Sequence, residues 1–83
     1  MIQKSMKVLD VNVEGFHFFC IFYPTANVNP YHLYRRWFEN GGWHREQLVA
    51  YGNFISVIYH LKDYMEYHNI GYKDFDFGKD GWK

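Results

Sequence analysis

The sequence predicts an α+β domain: a small antiparallel sheet of two successive β-hairpins, up to four strands, with one amphipathic C-terminal helix packed on one face. Three observations predict it. Apolar residues recur at helical spacing between Asn53 and His68, and strand-like runs flank two short turn signals, Glu14-Gly15 and Asn40-Gly41.

Met6 to Val13 and Phe16 to Tyr23 form the first expected hairpin, because Glu14-Gly15 is short and supplies a glycine for positive φ. A turn at those residues sets Val13 opposite Phe16, Val11 opposite Phe18, Leu9 opposite Cys20 and Lys7 opposite Phe22, an almost wholly apolar face. The reverse face carries Met6, Val8, Asp10 and Asn12 against His17, Phe19, Ile21 and Tyr23, polar near the turn and apolar at the far end. A face of that composition calls for partial cover.

Pro24 to Pro30, with Asn27 and Asn29 inside it, reads as a loop. The stretch after it, Tyr31 to Tyr51, admits two readings. Asn29-Pro30 resembles a helix start and Gly41 a helix stop, which suits a short helix from Tyr31 to Glu39 with Tyr34, Trp37 and Phe38 on one stripe. The favoured reading is a second hairpin turning at Asn40-Gly41, with Trp37 facing His44, Arg35 facing Glu46 and Leu33 facing Leu48. That register also opposes Arg36 to Arg45, a like-charge pair that costs roughly some tenths of a kcal/mol.

Gln47 to Tyr51 then leads through Gly52 into the helix. Phe54, Val57, Ile58, Leu61 and Met65 fall on one stripe, and Lys62, Asp63 and Glu66 fall away from it. Asn53 stands where an N-cap is wanted, and Asn69 and Gly71 supply the stop. A helix of about four turns is marginal alone in water, so its stripe must pack on the strands. Residues 1–70 are thus one expected α+β domain, followed by an acidic, aromatic tail over 71–83. Tyr72, Phe75, Phe77 and Trp82 are untypical of a disordered terminus, so the tail is expected to pack back on the domain.

Composition narrows the function classes. Aromatic residues make up 23% of the 83-residue chain, enough large side chains to build a dense core at this size and to leave rings over for binding. Nine basic and nine acidic residues cancel, so no global field draws in nucleic acid or an anionic membrane. Cys20 is the only cysteine, which excludes an internal disulfide and a multi-cysteine zinc site and suits a reducing, cytoplasmic location. The N-terminal stretch lacks an apolar core of signal-peptide length, and no run approaches the roughly 18 apolar residues of a membrane span.

The sequence favours binding over catalysis. His17, His32, His44, His60 and His68 lack the tight spacing of metal ligands, and Asp74, Asp76 and Asp80 lack the terminal glutamate of a calcium loop, so no metal and no cofactor is expected. Cys20 lies on the most apolar face and Ser56 in the first helical turn, neither beside an evident base, so no catalytic residue is assigned. Two constellations remain. Tyr34, Arg35, Arg36 and Trp37 with Trp43, His44 and Arg45 interleave guanidiniums and rings, a composition that suits a protein hot spot and also base stacking. The tail residues Asp74, Phe75, Asp76, Phe77 and Trp82 offer a second, acidic contact surface.

The expectation drawn from these is a small non-enzymatic protein-binding module, an inhibitor or accessory protein of the phage or mobile-element type that occludes a partner protein. Single-stranded nucleic-acid binding through the Arg and Trp cluster is the alternative, disfavoured by the neutral charge. A homodimer is expected to cover the apolar end of the reverse face, Val8, Phe19, Ile21 and Tyr23, with the tail folding over that face as the competing solution.

Overall fold

The computed structural model describes residues 4–71 and 73–83; Tyr72 of the tail and the first three residues of the expected domain lie outside the described residues. The α+β class holds. Five strands, β1 (Met6–Val13), β2 (Phe16–Phe22), β3 (Tyr31–Glu39), β4 (Gly42–Trp43) and β5 (Gln47–Gly52), precede a single helix, α1 (Phe54–Tyr67). The sheet is antiparallel throughout in the order β1-β2-β3, with β4 and β5 both paired to the far side of β3.

The first hairpin turns where expected, with Glu14 and Gly15 both at positive φ (47° and 81°), the requirement of a two-residue turn that matches strand twist. Its register follows the expected pairs from Val13 opposite Phe16 to Leu9 opposite Cys20, then slips. Lys7 stands opposite Ile21 and Met6 opposite Phe22, in place of the expected Lys7 and Phe22 pair. Unbroken alternation would have turned the Lys7 ammonium into the apolar face; the extra residue, Val8, rotates it onto the other face, 3.5 Å from Asp10.

Residues Tyr31 to Glu39 are strand, and the helical reading is set aside. Asn29 takes a left-handed conformation (φ 55°) and the Tyr23 N–H donates to the Pro30 carbonyl at 2.8 Å, so the Asn-Pro pair closes a loop and caps no helix. Both edges of β3 are then filled by ladders, to β2 on one side and to β4 and β5 on the other.

The expected fourth strand is broken in two. Near the Asn40-Gly41 turn (φ 53° and 80°) the expected register holds, with Phe38 opposite Trp43 and the His44 N–H donating to the Trp37 carbonyl at 2.7 Å. Residues 44–46 leave the ladder, and pairing resumes with Arg35 opposite Gln47, not Glu46, and Leu33 opposite Ala50, not Leu48. Two physical gains accompany the slips. Arg45 moves out to solvent and the Arg36 to Arg45 repulsion never forms, while a small residue, Ala50, comes to lie in the core under α1.

α1 begins as its sequence dictates: the Ser56 N–H donates to Asn53 Oδ1 at 2.8 Å. It ends at Asn69 in the left-handed region (φ 53°), where the Asn69 N–H donates to the Glu66 carbonyl and the Ile70 N–H to the Met65 carbonyl. This is the Schellman arrangement, and Ile70 folds back into the core beside Met65. Val57, Leu61 and Met65 meet Leu9, Val11, Phe18, Cys20, Leu33 and Ala50 of the sheet to form a core without a buried polar or charged residue among those described. Burial pushes the Cys20 thiol up to about 12, so it stays protonated filling.

A single helix resting on β3 and β5 leaves the β1 side of the inner face to be covered, and the C-terminal segment covers it. The Asp10 N–H donates to the Gly81 carbonyl at 3.0 Å and the Lys83 N–H to the Val8 carbonyl at 2.8 Å, so residues 81–83 run along the open edge of β1. Trp82 lies 4.7 Å from the Phe54 ring and its Nε1–H donates to the Phe77 carbonyl at 2.8 Å. Gly81 sits at φ 79°, and a Cβ there would collide with Val11 and approach Leu9 Cδ1 to 3.1 Å, so only glycine lets the segment lie this close. Phe75, Phe77 and Trp82 thus join the inner core, and the tail does not fold over the outer face.

Candidate functional site

Alternation along β3 divides the Arg and Trp cluster between the two faces of the sheet. Arg35 and Trp37 point to the helix side, with His44 opposite Trp37; Tyr34 and Arg36 point the other way, together with Trp43; Arg45 stands exposed in the broken strand. Six of the seven residues therefore form two groups with different surroundings, and Arg45 stands apart from both.

The helix-side group is tied into the fold. The Arg35 guanidinium lies 4.4 Å from the centroid of Trp37 and 5.1 Å from that of Tyr64, and donates to the Tyr64 hydroxyl and to Gln47 Oε1. Burial pulls its pKa below the usual value. Trp37 stacks on His44 at 5.0 Å and 11°, and its Nε1–H donates to Glu39 Oε2 at 3.3 Å. These contacts join the last turns of α1 to the end of the sheet.

The outer group is open. No secondary-structure element of the described residues packs over this side of the sheet. Arg36 sits 5.5 Å from the Trp43 ring and makes no ion pair among the described residues. Trp43 meets Phe38 edge to face at 5.5 Å and 72°, and His17 at 6.3 Å and 72°. Further across, Phe19 stacks on Tyr34 at 5.3 Å and 16°. A hydrogen bond with Tyr23 and, second, burial raise the Tyr34 phenol to about 12, so it stays protonated. Phe38 (51% exposed), Trp43 (49%), Leu48 (44%) and Tyr51 (58%) leave half of their large apolar surface in water on this one face.

One polar cluster borders the rings. His17 Nε2 lies 2.5 Å from Asp10 Oδ1, and Lys7 and Lys83 approach Asp10 Oδ2 at 3.5 and 3.7 Å. The His17 hydrogen bond is the largest cause holding the Asp10 carboxyl below its ordinary 3.8; burial opposes it, and the charges of Lys7, His17 and Lys83 add to it. Because the folded pKa lies below the unfolded one, this stabilisation is complete above 3.8 and is lost as the pH falls through the lower folded value. Asp10→Asn should therefore be less stable than the wild type at neutral pH, and urea midpoints measured along a titration should converge as acidity increases below 3.8. A gap that stayed constant into acid would remove the ion cluster as its cause.

The tail residues divide likewise. Phe75, Phe77 and Trp82 pack inward, while Asp76 accepts from the Gly78 N–H and Asp80 from the Asp76 N–H, both at 3.0 Å, so these carboxylates order their own turn. Asp74 is exposed. No group of three metal-ligating side chains occurs among the described residues, and none of their helices is long and apolar enough to cross a membrane.

Sequence reasoning passed over His17, Phe38, Leu48 and Tyr51 as site residues. The period-two alternation of Tyr34, Arg36 and Phe38 was the available signal for the first ring; Leu48 and Tyr51 share the face only because β5 slips against β3 between them. Compared with family models, with curated proteins and with solved structures, the chain matches none.

Proposed function

We propose that the protein is a small binding module that acts by covering a site on a partner protein, as an inhibitor or accessory factor does, through the outer face around Trp43. The observation that carries the reading is the uncovered sheet face on which Phe38, Trp43, Leu48 and Tyr51 are each about half exposed. Large rings on a rigid platform lose little conformational entropy on binding, and aromatic and arginine side chains dominate protein hot spots. Arg36, over the Trp43 ring and without an ion pair among the described residues, favours a partner surface that sets a carboxylate beside apolar groups. Its one thiol, buried and protonated, takes no part in this surface. The same free thiol fits a cytoplasmic location.

Single-stranded nucleic acid is the second reading, since rings on an open sheet also stack bases. It is weakened because Arg35 is held against Trp37 and Tyr64 on the helix side, which leaves Arg36 and Arg45 as the outward guanidiniums of the cluster. Paired pull-downs from the native host, with wild type and Trp43→Ala as baits, separate the readings. The variant should keep the wild-type melting temperature and bind the retained protein more weakly by about 2 kcal/mol, roughly 30-fold. Submicromolar, salt-sensitive binding of a labelled single strand at physiological ionic strength would replace protein with nucleic acid as the ligand.

A further inference from the structure

The sheet has two edges, and the chain treats them differently. Along β1 the backbone is met at Val8 and Asp10 by residues 81–83, through the Asp10 to Gly81 and Lys83 to Val8 hydrogen bonds. Along β5 nothing plays that part: among the described residues its backbone pairs with β3 and with no other segment. The direction of the ladder says which groups are left over. The His44 N–H donates to the Trp37 carbonyl, so the odd-numbered residues of β3 present their backbone towards β5. Their partners Gln47, Ala50 and Gly52 face β3, and the backbone groups of Leu48 and Tyr51, which stand opposite the even-numbered Tyr34 and His32, face outward.

An open edge is a template for another strand, and soluble proteins usually blunt it with charge or proline. Residues 47–52, QLVAYG, hold neither. The slip at Val49 twists the strand yet keeps Leu48 and Tyr51 on one face, where they are 44% and 58% exposed. Both features point to an edge meant to be paired.

We propose that β5 pairs antiparallel with β5 of a second copy of this chain, about a two-fold axis between Val49 and Ala50, so that each Leu48 packs on Tyr51 of the other copy. The short strand is self-complementary in that register, because its two exposed apolar side chains stand on the same face and on opposite sides of the axis. Closure follows from the other edge. Pairing consumes both β5 edges, and both β1 edges are occupied at Val8 and Asp10 by residues 81–83, which opposes further strand addition there, so association stops at two chains. The five-stranded sheet becomes continuous across the axis, and the two outer faces form one platform. The dimer takes Leu48 and Tyr51 from that outer face and leaves Phe38, Trp43 and Arg36 open for the partner; it is read from chain mass with no partner present, so its failure is distinct from failure of the partner-covering role.

Two charge patterns at the same positions test it. Leu48→Lys with Tyr51→Lys opposes like charges across the axis twice, whereas Leu48→Lys with Tyr51→Glu opposes unlike charges twice; both remove the same apolar groups from exposed sites. Light scattering behind gel filtration at micromolar concentration should give the wild type twice the 10.1 kDa chain mass, the Lys/Lys variant a single chain mass, and the Lys/Glu variant twice the mass, falling towards a single chain as salt rises. Circular dichroism melts accompany the masses, so that a variant is scored only while folded; if the Lys/Lys variant unfolds, wild-type mass and the Lys/Glu salt response decide alone. A monomeric wild type would overturn the proposal, and so would a Lys/Glu variant that fails to dimerise or whose dimer ignores salt.

Discussion

Leu61→Asp abolishes folding. Leu61 has no exposed surface and lies in a core made only of apolar side chains, so the new carboxylate would meet no hydrogen-bond donor and no cation there. Burying it charged, or protonating it to bury it neutral, costs several kcal/mol. A domain of this size holds a total stability of about 5 to 15 kcal/mol, and the lost packing of a leucine adds roughly 2 to 5 kcal/mol more. Far-ultraviolet circular dichroism at room temperature should show a largely unfolded chain. Wild-type melting behaviour would mean that the stripe of α1 faces water and that the helix does not cover the sheet.

Trp82→Ala should lower the melting temperature steeply although Trp82 is one residue from the end of the chain. Its ring rests on Phe54, its Nε1–H holds the Phe77 carbonyl, and its backbone belongs to the segment that closes β1. Truncating a partly buried tryptophan costs about 3 kcal/mol, which in a domain this small corresponds to a fall of roughly 12 to 24 °C. Trp82→Phe keeps a ring on Phe54 and loses the N–H, so it should retain most of the stability and give up about 1 kcal/mol. A melt within a degree or two of wild type for the alanine variant would show that the tail contributes nothing to the fold.

The features that sequence reading captured are those decided within a few consecutive residues. Asn53 caps α1 and Asn69 ends it, each through hydrogen bonds to groups at most a turn away. Glu14-Gly15 and Asn40-Gly41 turn both hairpins because two adjacent residues reach positive φ there. The helical stripe of Val57, Leu61 and Met65 needs only the 3.6-residue period to be recognised.

Tertiary structure alone decided which face each strand residue joins. Strand register is a sum over distant neighbours, and one extra residue reverses every side chain beyond it. The slip at Val8 settles on keeping the Lys7 ammonium out of the core, and the slips between Trp37 and Leu33 settle on freeing Arg45 and bringing Ala50 under α1. Neither balance can be evaluated until the helix and the tail are in place. The Arg and Trp cluster, close in the sequence, was divided for the same reason: Arg35 was held by Tyr64 of α1 with Trp37 beside it, and Arg36 and Trp43 were left on the open face. The sequence by itself thus determined where the chain turns and where its helix starts and stops, because those are local backbone energies. Which aromatic and basic side chains reach solvent together was decided only in the folded chain, where desolvating a charge is weighed against filling a core.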